Sequence, residues 1–227
     1  EYAEHIDVVI SAFPKNIVES YVRVLDTVGL RPLAIELESQ AIARSLLPML
    51  HGDEAKIIID IGYNRTSIII LAGKTILYTT TIDFGGRQLE KTISQNLNMP
   101  PKEAIGLKKE KGLEKQAYGG KLFEALAIPL AVLAEEITRA VEYYRNHSAH
   151  SHEVGETVSE VLLVGGDANL LGLETYLSAA LKIPVRKADP LELIYRAYKV
   201  PPLIMKRQAY AYATAVGLAL RGISSSN

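Results

Sequence analysis

Cysteine is missing altogether from the 227 residues. Its absence excludes disulfides and thiolate-ligated metals, and it fits a reducing compartment. A dominant sign of charge is missing too. The 25 Lys and Arg against 26 Asp and Glu leave a formal net charge of −1, which gives no basic footprint for nucleic acid or an anionic membrane. Long unbroken apolar runs are also wanting: the greasiest stretch, LFEALAIPLAVLAEEI, is interrupted by Glu124, Pro129, Glu135 and Glu136, so no direct membrane insertion is expected. The first residues, EYAEHIDVVISAFPK, carry no cleavable signal pattern. They open at Glu1 on the doorstep of a strand, which reads as a piece of a longer chain. What remains is 48% hydrophobic and 22% charged, enough for a soluble globular protein with a substantial core.

The patterning is mixed α/β. HIDVVISAF (5–13) reads as a strand, and KNIVESYVRVLDTVG as a helix opened by Pro14 and stopped by Gly29. RPLAIELE reads as a second, parallel strand. A short helix, ESQAIARSLLPML, leads into three closely spaced strands, KIIIDIG, TSIIILAG and KTILYTTTIDF. Helices follow over RQLEKTISQNLN, in short pieces over 100–120, and in one long amphipathic stretch with Pro129 as a kink. After a polar break, residues 158–189 read as strand, glycine turn, helix and strand. The final helix, KRQAYAYATAVGLALRGI, is apolar nearly all round and is expected to be buried.

Two glycine turns can carry chemistry. In IIIDIGYNRTSIII, Asp60 sits at the tip of a greasy strand, with Gly62 and Thr66 completing Asp-x-Gly-x-x-x-Thr. Gly62 admits a bulky anion close to the backbone, turn amides and the Thr66 hydroxyl can bind phosphate oxygens, and Asp60 can hold Mg²⁺ directly or through water. A plain hairpin with a capping aspartate is the blander alternative. In VLLVGGDANLLGL, Gly165–Gly166 follow an apolar strand, with Asn169 as a candidate helix cap. The turn is not a P-loop, because no Gly-Lys-Ser/Thr follows. His147, His150 and His152 in NHSAHSH occupy a polar linker, which favours a solvated loop over a metal site. Glu36 and Glu38 are candidates to orient a water, or simply surface and capping residues.

The order of these features resembles the actin-like ATPase superfamily, which includes actin, sugar kinases and FtsA. Asp60-Ile-Gly62-Tyr-Asn64-Arg-Thr66 is similar to its second phosphate motif, and Gly165-Gly166-Asp167-Ala168-Asn-Leu-Leu-Gly172 to its adenosine motif. Glu38–Leu46 and Ala211–Gly222 look like its two connecting helices. Within it, the chain resembles the PilM family of type IV pilus assembly proteins, related to FtsA. The stretches 8–46, EEITRAVEYYRNH, GGDANLLGLETYL and GLALRG carry that resemblance over essentially the whole chain.

The resemblance implies an actin-like, ribonuclease H-like α/β fold of two lobes, with the first lobe incomplete. Residues 1–50 would be the remainder of the first lobe, 51–200 the second lobe, and 201–227 a connecting helix returning to the first. It implies ATP with Mg²⁺ as cofactors, held by Asp60, Gly62, Asn64, Thr66, Gly86, Lys108, Gly165, Gly166, Asp167 and Ala168, with Asp60 on the metal through water. Glu38 is the one carboxylate carried forward as a catalytic candidate, for a weak ATPase. The implied function is cytoplasmic assembly, at the inner membrane only through partners: the cytoplasmic tail of a PilN-like protein, other pilus assembly proteins, and copies of itself. A small-molecule kinase and a scaffold without nucleotide are the alternatives. Two departures stand out. The superfamily's first phosphate hairpin is absent, and in KEAIGLK the acidic partner expected three residues before Lys108 is Ile105.

Overall fold

Three of the strands carry unbroken apolar runs, Ile57–Ile59, Ile68–Ala72 and Val161–Val164, and a run of that kind must be covered on both faces. The computed structural model, which describes residues 10, 12–52, 54–148, 157–192, 194–195 and 206–224, meets that requirement. The chain divides into two compact units, Glu1–Glu38 and Ser39–Asn227.

The second unit is built on a five-stranded sheet in the order β3-β2-β1-β4-β5. Its strands are β1 (Ala55–Ile61), β2 (Thr66–Ala72), β3 (Thr75–Ile82), β4 (Val158–Val164) and β5 (Val185–Lys187). The first three form an antiparallel meander, while β4 lies parallel to β1 and β5 parallel to β4. Alternate residues serve opposite faces. Ile57, Ile59, Ile61, Ile68, Ile70, Val161 and Leu163 join one core, and Ile58, Ile69, Leu71, Leu162 and Val164 join another.

The first core is roofed by α3 (Gly86–Asn96), α5 (Lys121–Ser148) and α6 (Leu173–Leu181), with α4 (Pro101–Lys111) packed beside α3. α5 supplies Leu122, Leu126, Leu130, Leu133, Ile137, Val141 and Tyr144 at helical spacing. By length and composition alone this helix is apolar enough to cross a membrane. Its apolar face is spent on the sheet, while Glu135 and Glu136 pair with Arg139 on the outer side at 2.6 and 2.9 Å. It is a core helix.

The second core is covered by α2 (Glu38–Ser45), through Ile42 and Ala43, by Leu46 just after it, and by α7 (Ala213–Ser224), through Ala213. The terminal segment is not buried all round: Tyr212 and Leu218 are about half exposed. It is a one-sided helix, entered through a 3-10 turn at Tyr210–Tyr212.

In the first unit, α1 (Lys15–Thr27) ends where Gly29 takes φ +73, and the Leu30 amide donates to the Leu25 carbonyl at 2.9 Å. The expected strand RPLAIELE does not form. Leu33 is fully exposed, and no neighbour among the described residues offers these backbone groups a ladder. Its expected companion, 5–13, falls almost wholly outside the described residues.

Candidate functional site

Because β1 and β4 are parallel, they end at the same edge of the sheet, with Asp60 opposite Val164. Ligands in open α/β sheets gather at such carboxyl ends. Each strand runs there into one of the glycine turns, Gly62–Arg65 after β1 and Gly165–Asn169 after β4.

Gly165 is what lets the two ends meet. Its φ of +91 favours glycine, and a Cβ there would fall on Asp60 Oδ1 and on the carbonyl of Ile61. Its amide donates to the Tyr210 carbonyl at 2.8 Å, tying the turn to the segment before α7.

The hairpin is braced against the start of α3. The Gly86 and Arg87 amides donate to the carbonyls of Gly62 and Tyr63 at 3.1 and 2.8 Å, and the Gly62 amide donates to Arg65 at 3.0 Å. Thr66 is fully buried, and its hydroxyl donates to the Phe84 carbonyl at 2.9 Å. That proton therefore shapes the hairpin in this structure rather than facing an anion. Tyr63, Asn64 and Arg65 are exposed at the tip.

Between the turns lies a buried charge triad. Lys108 of α4, 6% exposed at its side chain, sits 2.7 Å from Glu90 Oε1 of α3 and 2.6 Å from Asp167 Oδ1. A Cβ on Gly86 would collide with the Asp167 carboxylate, so the bare glycine makes room for it. Burial disfavours the ammonium, but hydrogen bonds to Asp167 and then Glu90 outweigh it and hold Lys108 above the ordinary lysine value. For Asp167 burial wins: its carboxyl is pushed up despite Lys108, with Glu90 adding to the push. Two carboxylates share one cation.

The structure thus brings together Asp60, Gly62, Thr66, Gly86, Lys108, Gly165, Gly166, Asp167 and Ala168, with Asn64 at the hairpin tip. Glu38 opens α2 in its first turn. Glu90 was missed. The acid that answers Lys108 comes from α3, and only its place four residues after Gly86 could have hinted at it. Asn169 does not cap a helix. Its amide donates to the Gly166 carbonyl at 3.2 Å within a 3-10 turn, and α6 begins later at Leu173.

One carboxylate at a strand tip beside an open backbone suits Mg²⁺, which takes one or two carboxylates with phosphate oxygens and water. Among the described residues no group of three or more His, Asp or Glu is gathered to hold a metal alone, and His150 and His152 lie outside them.

A family model described as type IV pilus assembly protein PilM matches residues 1–223. Among solved structures, a PilM-PilN type IV pilus biogenesis complex superposes with a TM-score of 0.73 at 23% identity, over 91% of this chain and 57% of that one. The ethanolamine utilization protein EutJ from Carboxydothermus hydrogenoformans gives 0.64 at 20% identity, over 92% and 62%. MreB 5 of Spiroplasma citri bound to AMPPNP gives 0.66 at 15% identity, over 95% and 67%. These likenesses show an actin-like fold. The chain spans a little over half the length of the PilM in that complex.

Proposed function

The chain belongs to the PilM family of type IV pilus assembly proteins, and we propose that its second unit holds Mg·ATP where β1 and β4 end. The observation that carries this reading is the contact of the two glycine turns, with Gly165 open to Asp60 and Gly86 open to Asp167. Asp60 would hold Mg²⁺ through water, and the Gly62–Arg65 tip would face the phosphates. Gly165–Ala168 would lie against the nucleoside, with Lys108 near the ribose. Mg·ATP, when bound, would supply triphosphate and metal charge to the residues of the two turns. A weak ATPase activity is compatible with this arrangement.

The role of the site is assembly in the cytoplasm, at the inner membrane through partners. A PilN-like cytoplasmic tail is the first of these, and other pilus assembly proteins follow. Support for a peptide partner comes from the first unit, where a concavity of about 720 Å³ is lined by Val22, Asp26 and Gly29–Ile35. Leu33 stands fully exposed there.

Titration calorimetry with Mg·ATP tests the site. The reading expects binding by the parent and loss of it in Asp60→Ala, with both proteins folded by circular dichroism. Equal heats from the two would refute it. A scaffold without nucleotide is the second reading, favoured by one observation: Lys108 and Thr66 already have partners within the chain.

A further inference from the structure

We propose that the open edge of β3 is a self-association surface, on which two copies of the chain join their sheets across a twofold axis. The two edges of the sheet are built differently. β5 is three residues long, follows Pro184 and carries Arg186 and Lys187, the short, charged form that discourages further pairing. β3 is eight residues long and reads TILYTTTI, with no charge and no proline. Among the described residues only β2 pairs with it.

A register shift limits where a partner can pair. Ile70 faces Tyr78 while Leu71 faces Ile76, so Leu77 is bulged out and the regular run is Tyr78–Ile82. That run complements itself. With Thr80 on a twofold axis, antiparallel pairing sets Thr79 opposite Thr81 and Tyr78 opposite Ile82. Thr79 and Thr81 are exposed, which gives a threonine ladder on one face. On the other face Tyr78 and Ile82 pack against the first core. There Tyr143 of α5 lies with its ring 4.7 Å from that of Tyr78 and remains 46% exposed, an apolar floor for the partner's side chains.

A strand that meets its own copy would set its charges against the same strand, and β3 has none to set. This is why a second copy is the occupant, in an isologous contact of the kind that closes dimers. The surface is independent of the glycine turns and of any nucleotide.

The chain lacks cysteine, so one introduced thiol reports alone. Thr80→Cys should form a disulfide-linked dimer under mild oxidation, since facing Cα atoms across an antiparallel pair lie about 4.5–5.5 Å apart. Thr75→Cys should not, because its two copies would be about 33 Å apart at about 3.3 Å per residue. In sedimentation velocity the parent should dimerise with rising concentration. Thr79→Lys/Thr81→Lys and Thr79→Glu/Thr81→Glu should each weaken the dimer about tenfold or more, with unchanged circular dichroism. A mixture of the two should restore it. The proposal is overturned if the parent stays monomeric throughout the series, or if both charged variants still dimerise. It is equally overturned if Thr80→Cys links no faster than Thr75→Cys, or if β3 pairs instead with a strand of a different protein.

Discussion

Replacing Lys108 with methionine keeps the volume of the side chain and removes the cation that Glu90 and Asp167 share. Breaking a fully buried ion pair by deleting one partner costs about 3–5 kcal/mol. Here the two carboxylates keep 11% and 12% of their side-chain surface in water, so about 2–4 kcal/mol is the better figure at pH 7. For a unit of this size that lowers the melting temperature by about 5–15 °C. The sign with pH follows from the shifts. The raised Lys108 stabilises the fold fully below its ordinary value of 10.5, and that contribution is lost as pH rises through its higher folded value. The raised Asp167 favours its neutral form in the fold, so its benefit exists below 3.8 and is lost as pH rises through the folded value. Without Lys108 the Asp167 carboxyl, already pushed up by burial, can still take up a proton, so the deficit of Lys108→Met should shrink between pH 7 and pH 5. Adding Asp167→Asn should recover part of the loss at pH 7, because one of the two facing charges is then gone. Differential scanning calorimetry at both pH values reads all of this. A deficit that is absent at pH 7, or that grows on acidification, would refute the reasoning.

Two further substitutions probe other parts of the second unit. A glycine inside a helix normally gains about 1 kcal/mol on replacement by alanine, but a Cβ on Gly217 of α7 would fall on the Ala41 carbonyl of α2. Gly217→Ala should therefore melt lower, by about 1–3 kcal/mol; a higher melting temperature would mean the two helices do not cross so closely. Burial raises the Glu160 carboxyl, but Arg186 and Lys56, each 2.7 Å away, together pull it below the ordinary value of 4.5. Its contribution is present above 4.5 and lost as pH falls through the folded value, so Glu160→Gln should cost about 1 kcal/mol at neutral pH. In acid melts that difference should vanish.

Much of this site could be read in the sequence because its signals are local. Isoleucine runs broken by Asp60-Ile-Gly62 and by Gly165–Gly166 mark strand ends and turns without knowledge of what lies across from them. What failed was what depends on partners distant in the chain. RPLAIELE has the apolar content of a strand, yet a strand exists only beside another, and none among the described residues lies beside it. On its own helix Lys108 has Ile105 where the resemblance expects an acid, whereas Glu90 reaches it from α3. Thr66 has the hydroxyl a phosphate site wants, but spacing does not show that it donates to the Phe84 carbonyl. The terminal helix is apolar enough for full burial, but the sheet face covers one side of it only.

The most direct test of the account is amide hydrogen exchange with and without Mg·ATP. The account predicts slowed exchange at both Gly62–Arg65 and Gly165–Ala168 in the parent, and no such slowing in Asp60→Ala. Slowing at neither turn, or slowing that survives the loss of Asp60, would contradict it.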